Sequence, residues 1–224
     1  AAAPRLKDSA PMSSTPSVET VFSTPGPHPN GMQATAQGFW ILDQHTNLLQ
    51  LVSHTGEVLR TLTTESDRGS GVTFDGMALW IASTYNCKIL RVDAQTGATL
   101  AVYDTPGAAK TGAHGLEWRA GLLWIATPPA AMIYQVDVAG GFRVVHSFPA
   151  PGSRPHGLAW QDGDLWCVET NHRAFYRLDT KTGATLDQIE LPAGAPEPHG
   201  MTIWDGHFWY CDANTSTVAR FPLP

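Results

Sequence analysis

The sequence predicts an all-β fold, a five-bladed β-propeller with four antiparallel strands in each blade. One segment recurs five times, as NGMQATAQGFW (30–40), SGVTFDGMALW (70–80), HGLEWRAGLLW (114–124), HGLAWQDGDLW (156–166) and HGMTIWDGHFW (199–209). The copies start 40, 44, 42 and 43 residues apart, and a period near that value made only of short strands is the mark of propeller blades. Gly (21) and Pro (17) are plentiful while extended apolar patterns of period 3.6 are absent, which calls for short strands joined by tight turns.

Within a repeat the elements follow in a fixed order. The first strand opens at Asn30, Ser70, His114, His156 and His199, and a short turn such as FDG or QDG leads to the second. That second strand carries Trp40, Trp80, Trp124, Trp166 or Trp209, an aromatic repeated in every copy and so expected to pack between blades. The third strand reads LLQLVS, KILRVDA, MIYQVDV, FYRLDT and TVARFPL, and turns such as QTGAT supply the Gly that a hairpin into a fourth strand needs.

The last repeat ends after its third strand. VETVFSTPG (18–26) resembles the fourth strands ATLAVYDTPG and ATLDQIELPAG, so the N-terminal strand is expected to close the last blade and leave no exposed sheet edge. This gives a single propeller domain over 18–224 behind a flexible lead-in at 1–17, whose small, polar, proline-rich composition is not that of a signal segment.

Composition excludes several function classes. A net charge of −6 with only 15% charged residues provides no basic stripe for nucleic acid. No apolar run reaches membrane-spanning length, so no membrane partner is expected. The chain reads as soluble, in the cytoplasm or, after processing, the periplasm or outside the cell, and as a monomer or small homo-oligomer. Cys87, Cys167 and Cys211 make no disulfide framework, although a Cys167–Cys211 bridge is compatible with the pattern. G-x-S-x-G, Walker and C-x-x-C motifs are all absent.

In a propeller, the loop before the inner strand and the loop after the second strand share one face. The inner strands open at Asn30, Ser70, His114, His156 and His199, with His28, Arg68, Gly112, Arg154 and Glu197 two positions earlier. The second strands end at Asp43, Ser83, Thr127, Glu169 and Asp212, followed by Tyr85, Asn171 and His172 among others. Five inner strands converge on one axis, so imidazoles and carboxylates more than 40 residues apart are expected to meet at one mouth. His with Asp or Glu suits zinc, iron or manganese, and with fewer imidazoles magnesium; the same groups suit acid–base work. A His in this position also serves structurally in other propellers, by bonding within its own blade.

The pattern PHGLxWxxGxLWxxE followed by YRLDTKTGATLDQIELP resembles the virginiamycin B lyase (streptogramin lyase) family of propellers and, more distantly, NHL-type and gluconolactonase-like propellers. That resemblance spans the five repeats, whereas the family has seven blades. It implies a magnesium-assisted elimination that opens a cyclic depsipeptide without water. Its functional pattern falls on His156, then Glu197 and His199, then Asp212, where the family has Glu.

The expected function is therefore a metal-dependent lyase acting on a small molecule. A divalent ion (magnesium, zinc, manganese or iron) is expected on His114, His156, Glu197 and His199, with catalysis by His156, His199, Glu169 and Asp212. Asn30, Ser70, Arg154, Tyr85, Asn171 and His172 are the expected substrate contacts. Two alternatives stand beside it: a His-ligated iron oxygenase or metal-dependent hydrolase, and a non-enzymatic ligand- or carbohydrate-binding propeller.

Overall fold

The computed structural model describes residues 15–224; most of the predicted lead-in, 1–14, lies outside the described residues. Blade 1 is β2 (Pro29–Thr35), β3 (Gly38–Asp43), β4 (Leu48–Val52) and β5 (Val58–Thr63), and blade 2 is β6 (Gly71–Phe74), β7 (Ala78–Ser83), β8 (Lys88–Asp93) and β9 (Thr99–Asp104). Blade 3 is β10 (Gly115–Arg119), β11 (Leu122–Thr127), β12 (Met132–Asp137) and β13 (Arg143–Pro149). Blade 4 is β14 (Pro155–Gln161), β15 (Asp164–Glu169), β16 (Ala174–Leu178) and β17 (Thr185–Glu190). Blade 5 holds β18 (Met201–Trp204), β19 (His207–Asp212) and β20 (Thr217–Pro222), and β1 (Glu19–Ser23) is its fourth strand, antiparallel to β20. The predicted closure by the N-terminal strand is therefore correct.

The repeated tryptophans explain how the blades hold together. Trp40, Trp80, Trp124, Trp166 and Trp209 are all at most 4% exposed. Each sits in a different apolar cluster spanning one blade and the next: Trp40 meets Val72 and Leu79, and Trp209 meets Phe39 and Ile41 across the seam. Each such indole removes ~200 Å² from water, an upper figure of roughly 5 kcal/mol at ~25 cal/mol/Å². The three thiols are free, including buried Cys167 and Cys211, so apolar packing rather than a disulfide joins the blades.

The glycine that follows each inner-strand opening has a steric cause. A Cβ on Gly31 would lie 2.6 Å from the Ser70 carbonyl oxygen, and one on Gly200 2.7 Å from that of Asn30. On Gly115 and Gly157 it would collide with the His156 carbonyl and the Met201 amide of the following blade. Five blades make a narrow axis, and only hydrogen fits between neighbouring inner strands. These glycines leave an axial space of about 10 Å³, the lower limit for a single water.

Three residues further along from the openings, Gln33, Thr73, Glu117, Ala159 and Thr202 form a second ring beyond this plug. Thr73 Oγ1 donates to Gln33 Oε1 at 2.7 Å and accepts the Trp118 amide at 3.0 Å, and Thr202 Oγ1 accepts the Ala34 amide at 2.9 Å. Glu117 takes the same role toward the Trp160 amide, but burial pushes its carboxyl up to about 8 despite that bond and Arg119.

Two outcomes follow. Gly115→Ala is expected to cost about 3 kcal/mol through overpacking against backbone, read as a lower urea midpoint; an unchanged midpoint contradicts the close-approach account. Because the folded carboxyl of Glu117 titrates above its unfolded value, its stabilising contribution is complete below about pH 4.5 and is lost as pH rises toward 8. The melting temperature of Glu117→Gln is expected to gain on that of the parent over this window, and parallel pH curves contradict the assignment.

Candidate functional site at the axial mouth

The loops preceding the inner strands are braced from behind by the residues that end the second strands. Asp43 accepts the His28 amide at 2.6 Å, Glu169 the Arg154 amide at 2.6 Å and Asp212 the Glu197 amide at 2.8 Å. Each carboxylate also accepts amides of its own following turn: those of Thr46, His172 and Asn214 at 2.8, 2.8 and 2.7 Å. Glu169 and Asp212 are buried, and their oxygens are engaged in holding loops. Both were expected among the catalytic groups; their position lies behind the mouth, and bonds of this kind contribute about 1.5–3 kcal/mol each.

His114, His156 and His199 do meet. His114 Nδ1 lies 2.8 Å from His156 Nε2, and the rings of His156 and His199 are 5.1 Å apart at 80°. The other His156 nitrogen, Nδ1, lies 2.8 Å from Thr170 Oγ1, whose own hydroxyl proton is donated to the Pro198 carbonyl at 2.8 Å. A hydroxyl has one proton, so Thr170 accepts from His156 Nδ1–H. His156 Nε2 is then a lone pair and accepts from His114 Nδ1–H, which leaves His114 Nε2 as a lone pair. His156 is 1% exposed whereas His114 is half-buried, so the relay ends at a ring that reaches the mouth.

Burial keeps these imidazoles neutral. It lowers His114 to about 4, with the Arg154 charge and His199 adding to the effect. It holds His156 well below the usual histidine range, helped by its two His neighbours, and lowers His199 in spite of the Glu197 carboxylate beside it.

Glu197 stands at the rim. Its Oε1 is 3.4 Å from His199 Nε2, 3.8 Å from Arg154 Nη1 and accepts Asn214 Nδ2 at 3.2 Å. Asn30 completes the ring with an Oδ1 that is buried without a hydrogen-bond partner, an unsatisfied acceptor of the kind that marks a place for a ligand or water. Ser70 is occupied, accepting Gln44 Nε2 at 2.7 Å.

Other expected contacts lie away from the axis. Tyr85 is exposed beneath the Arg68 guanidinium at 4.9 Å. His172 points outward, its Nδ1 bonded to the third-strand Tyr176 hydroxyl at 2.9 Å, and Asn171 is exposed in the same turn. His28, the fourth imidazole an iron site would draw on, stacks on His45 at 4.1 Å.

The donor set does not make a ready metal site. Both His156 nitrogens are engaged, Arg154 places a cation beside Glu197, and among the described residues no group of three or more His, Cys, Asp or Glu converges as metal ligands. Glu197 with His199 is a two-ligand pair.

Thr170 is the member of this hydrogen-bonded chain that sequence reading missed. The signal was positional: the residue after the second-strand terminus links to the next blade's loop, as Thr84 does by donating to the Ala113 carbonyl at 2.8 Å.

No protein-family model matches the chain, and no curated protein is similar to it in sequence. Solved structures are similar in fold. Glutaminyl cyclase from Myxococcus xanthus aligns with a TM-score of 0.72 at 12% identity, over 92% of this chain and 97% of that one. A catalytically inactive histidine-to-alanine form of virginiamycin B lyase from Staphylococcus aureus, with quinupristin, aligns at 0.58 and 19% identity over 88% of this chain and 66% of that one. A streptogramin B lyase aligns at 0.58 and 17% identity over 93% of this chain and 73% of that one. The chain has a virginiamycin B lyase-like propeller fold, in a shortened five-bladed form.

Proposed function

We propose that the axial mouth is an acid–base active site for a lyase-type reaction, in which a proton is removed next to a carbonyl or ester group of a small molecule. The observation that carries this reading is the relay from His114 through His156 and Thr170 to the Pro198 carbonyl, which presents His114 Nε2 as an oriented lone pair at a half-buried position. His114 takes the proton, and Arg154 stabilises the negative charge that develops on the carbonyl oxygen. The bond from the β carbon to the ester oxygen then breaks, a carbon–carbon double bond forms, the carboxylate leaves with the electron pair, and His114 returns the proton to solvent. Glu197, held by His199, Asn214 and Arg154, accepts a substrate hydrogen bond. His156 and Thr170 are positioning residues. Two of the similar solved proteins, by name a cyclase and a lyase, place enzymes on this fold, and the lyase lost activity with one histidine.

A second reading keeps the ion expected from the sequence. Glu197 Oε1 and His199 Nε2, 3.4 Å apart at the rim, are the two atoms a hydrated divalent ion would find.

Quinupristin is a direct probe, with product followed by mass spectrometry. The proposed reaction gives a product of unchanged mass, since no water is added. His114→Ala and His114→Gln are expected to lose ~10²-fold or more, and Thr170→Val less than either. Activity should be level from pH 8 to about 5 and fall as His114 takes a proton. Full activity in both His114 variants contradicts the assignment, and no conversion by the parent protein contradicts this substrate class. Loss on dialysis against EDTA, restored by Mg²⁺, selects the second reading.

A further inference from the structure

The face opposite the axial mouth carries clefts between neighbouring blades, and they are not equivalent. Between blades 2 and 3, Tyr103 and Phe142 stack at 4.2 Å beside Trp80 and line a cavity of about 380 Å³ whose cation, Lys88, is paired with Asp104 at 2.6 Å; within blade 2 Arg91 pairs with Asp75 at 3.4 Å. Across the seam from blade 5 to blade 1, His54 stacks on Trp204 at 4.7 Å, and within blade 5 Arg220 pairs with Glu19 at 2.8 Å. Between blades 1 and 2 a cavity of about 310 Å³ is open, but its cation is used, Arg60 donating to the Ala94 carbonyl at 3.0 Å and to Gln95 at 2.8 Å.

The cleft between blades 3 and 4 combines an open volume with cations that make no ion pair among the described residues. It is open, at about 430 Å³, a volume typical of small-molecule sites. Its apolar floor is the edge-to-face pair Trp124 and Trp160, 5.4 Å apart. Arg119 lies 6.0 Å from the Trp160 ring and Lys181 stands on the opposite rim. Neither makes an ion pair among the described residues, in a chain of net charge −6. Asp179, in the same turn as Lys181, spends Oδ1 on the Lys181 and Thr182 amides, and the Lys181 charge adds to their lowering of its carboxyl without forming an ion pair. Two polar atoms of the lining, Trp160 Nε1 and His146 Nε2, are buried without any hydrogen-bond partner. Each of those two buried groups lacks the partner that buried polar atoms ordinarily have.

We infer that the cleft between blades 3 and 4 is a second ligand site, which takes a small organic anion with a flat apolar body. Arg119 and Lys181 pair with the anionic group, and the body lies against Trp160. Glu117, the acid nearest in sequence to Arg119, has its carboxyl pushed up by burial and makes no ion pair with that guanidinium.

Benzoate and its uncharged counterpart benzamide test this on the full chain. The readout is the Trp160 indole N–H signal in ¹H–¹⁵N spectra, identified by its loss in Trp160→Phe. Benzoate is expected to shift it saturably, and benzamide to bind at least about fivefold more weakly. Arg119→Gln and Lys181→Gln, both on exposed side chains, should each weaken benzoate by about fivefold, the scale of a partly screened ion pair. Absence of a saturable shift, equal binding of the two probes, or unchanged binding in both variants overturns the inference. The readout is independent of the axial mouth, so its failure and the failure of the proposed lyase activity are distinguishable.

Discussion

The close approach of five inner strands at the axis is the constraint on which the rest depends. It is set by glycine: at Gly31, Gly115, Gly157 and Gly200 a single added carbon would press on the backbone of the next blade. With the strands this close, the residue before each glycine is forced into a ring at one end of the axis and the residues two beyond it into a ring at the other. The plug between the rings leaves too little room for a ligand to pass. Each ring is thus a separate environment, polar, crowded and poorly hydrated.

That crowding turns a repeated motif into an asymmetric site. Three of the five ring positions are His, and neighbouring rings at hydrogen-bond distance cannot all be protonated in a space that disfavours charge. The Thr170 hydroxyl, committed to the Pro198 carbonyl, fixes the direction of the chain of protons. Blades 1 and 2 supply Asn30 and Ser70 in place of imidazole, and Arg154 and Glu197 of blades 4 and 5 form a charged pair at the rim. The same principle acts on the other ring, where Glu117 performs a task that a threonine performs in two other blades and responds by holding its proton.

The fold was legible because each of its causes repeats. Trp at the blade interfaces, Gly at the axis and TG in the outer turns recur at one spacing, and the fourth-strand likeness of VETVFSTPG revealed the closure. The meeting of His114, His156 and His199 was legible for the same reason. Roles within the meeting were not. Glu169 and Asp212 looked like reactive carboxylates because sequence shows residue type and not where the acceptor atoms are spent, which here is on the amides of adjoining loops. Thr170 was passed over because a lone threonine carries no signal until the His156 imidazole and the Pro198 carbonyl beside it are in place. Glu117 sat in plain view within HGLEW, but its burial depends on blades 3 and 4 together.

The most direct test of the account is the tautomer of His114 and its response to pH, read from ¹H–¹⁵N correlations of the imidazole rings in the intact protein. The account predicts a neutral ring with its proton on Nδ1 and a lone pair on Nε2, unchanged from pH 8 down to about 5, with His156 protonated on Nδ1 throughout the same range. A His114 proton on Nε2, or ordinary titration near 6.5, would contradict the relay and with it the base at the axial mouth.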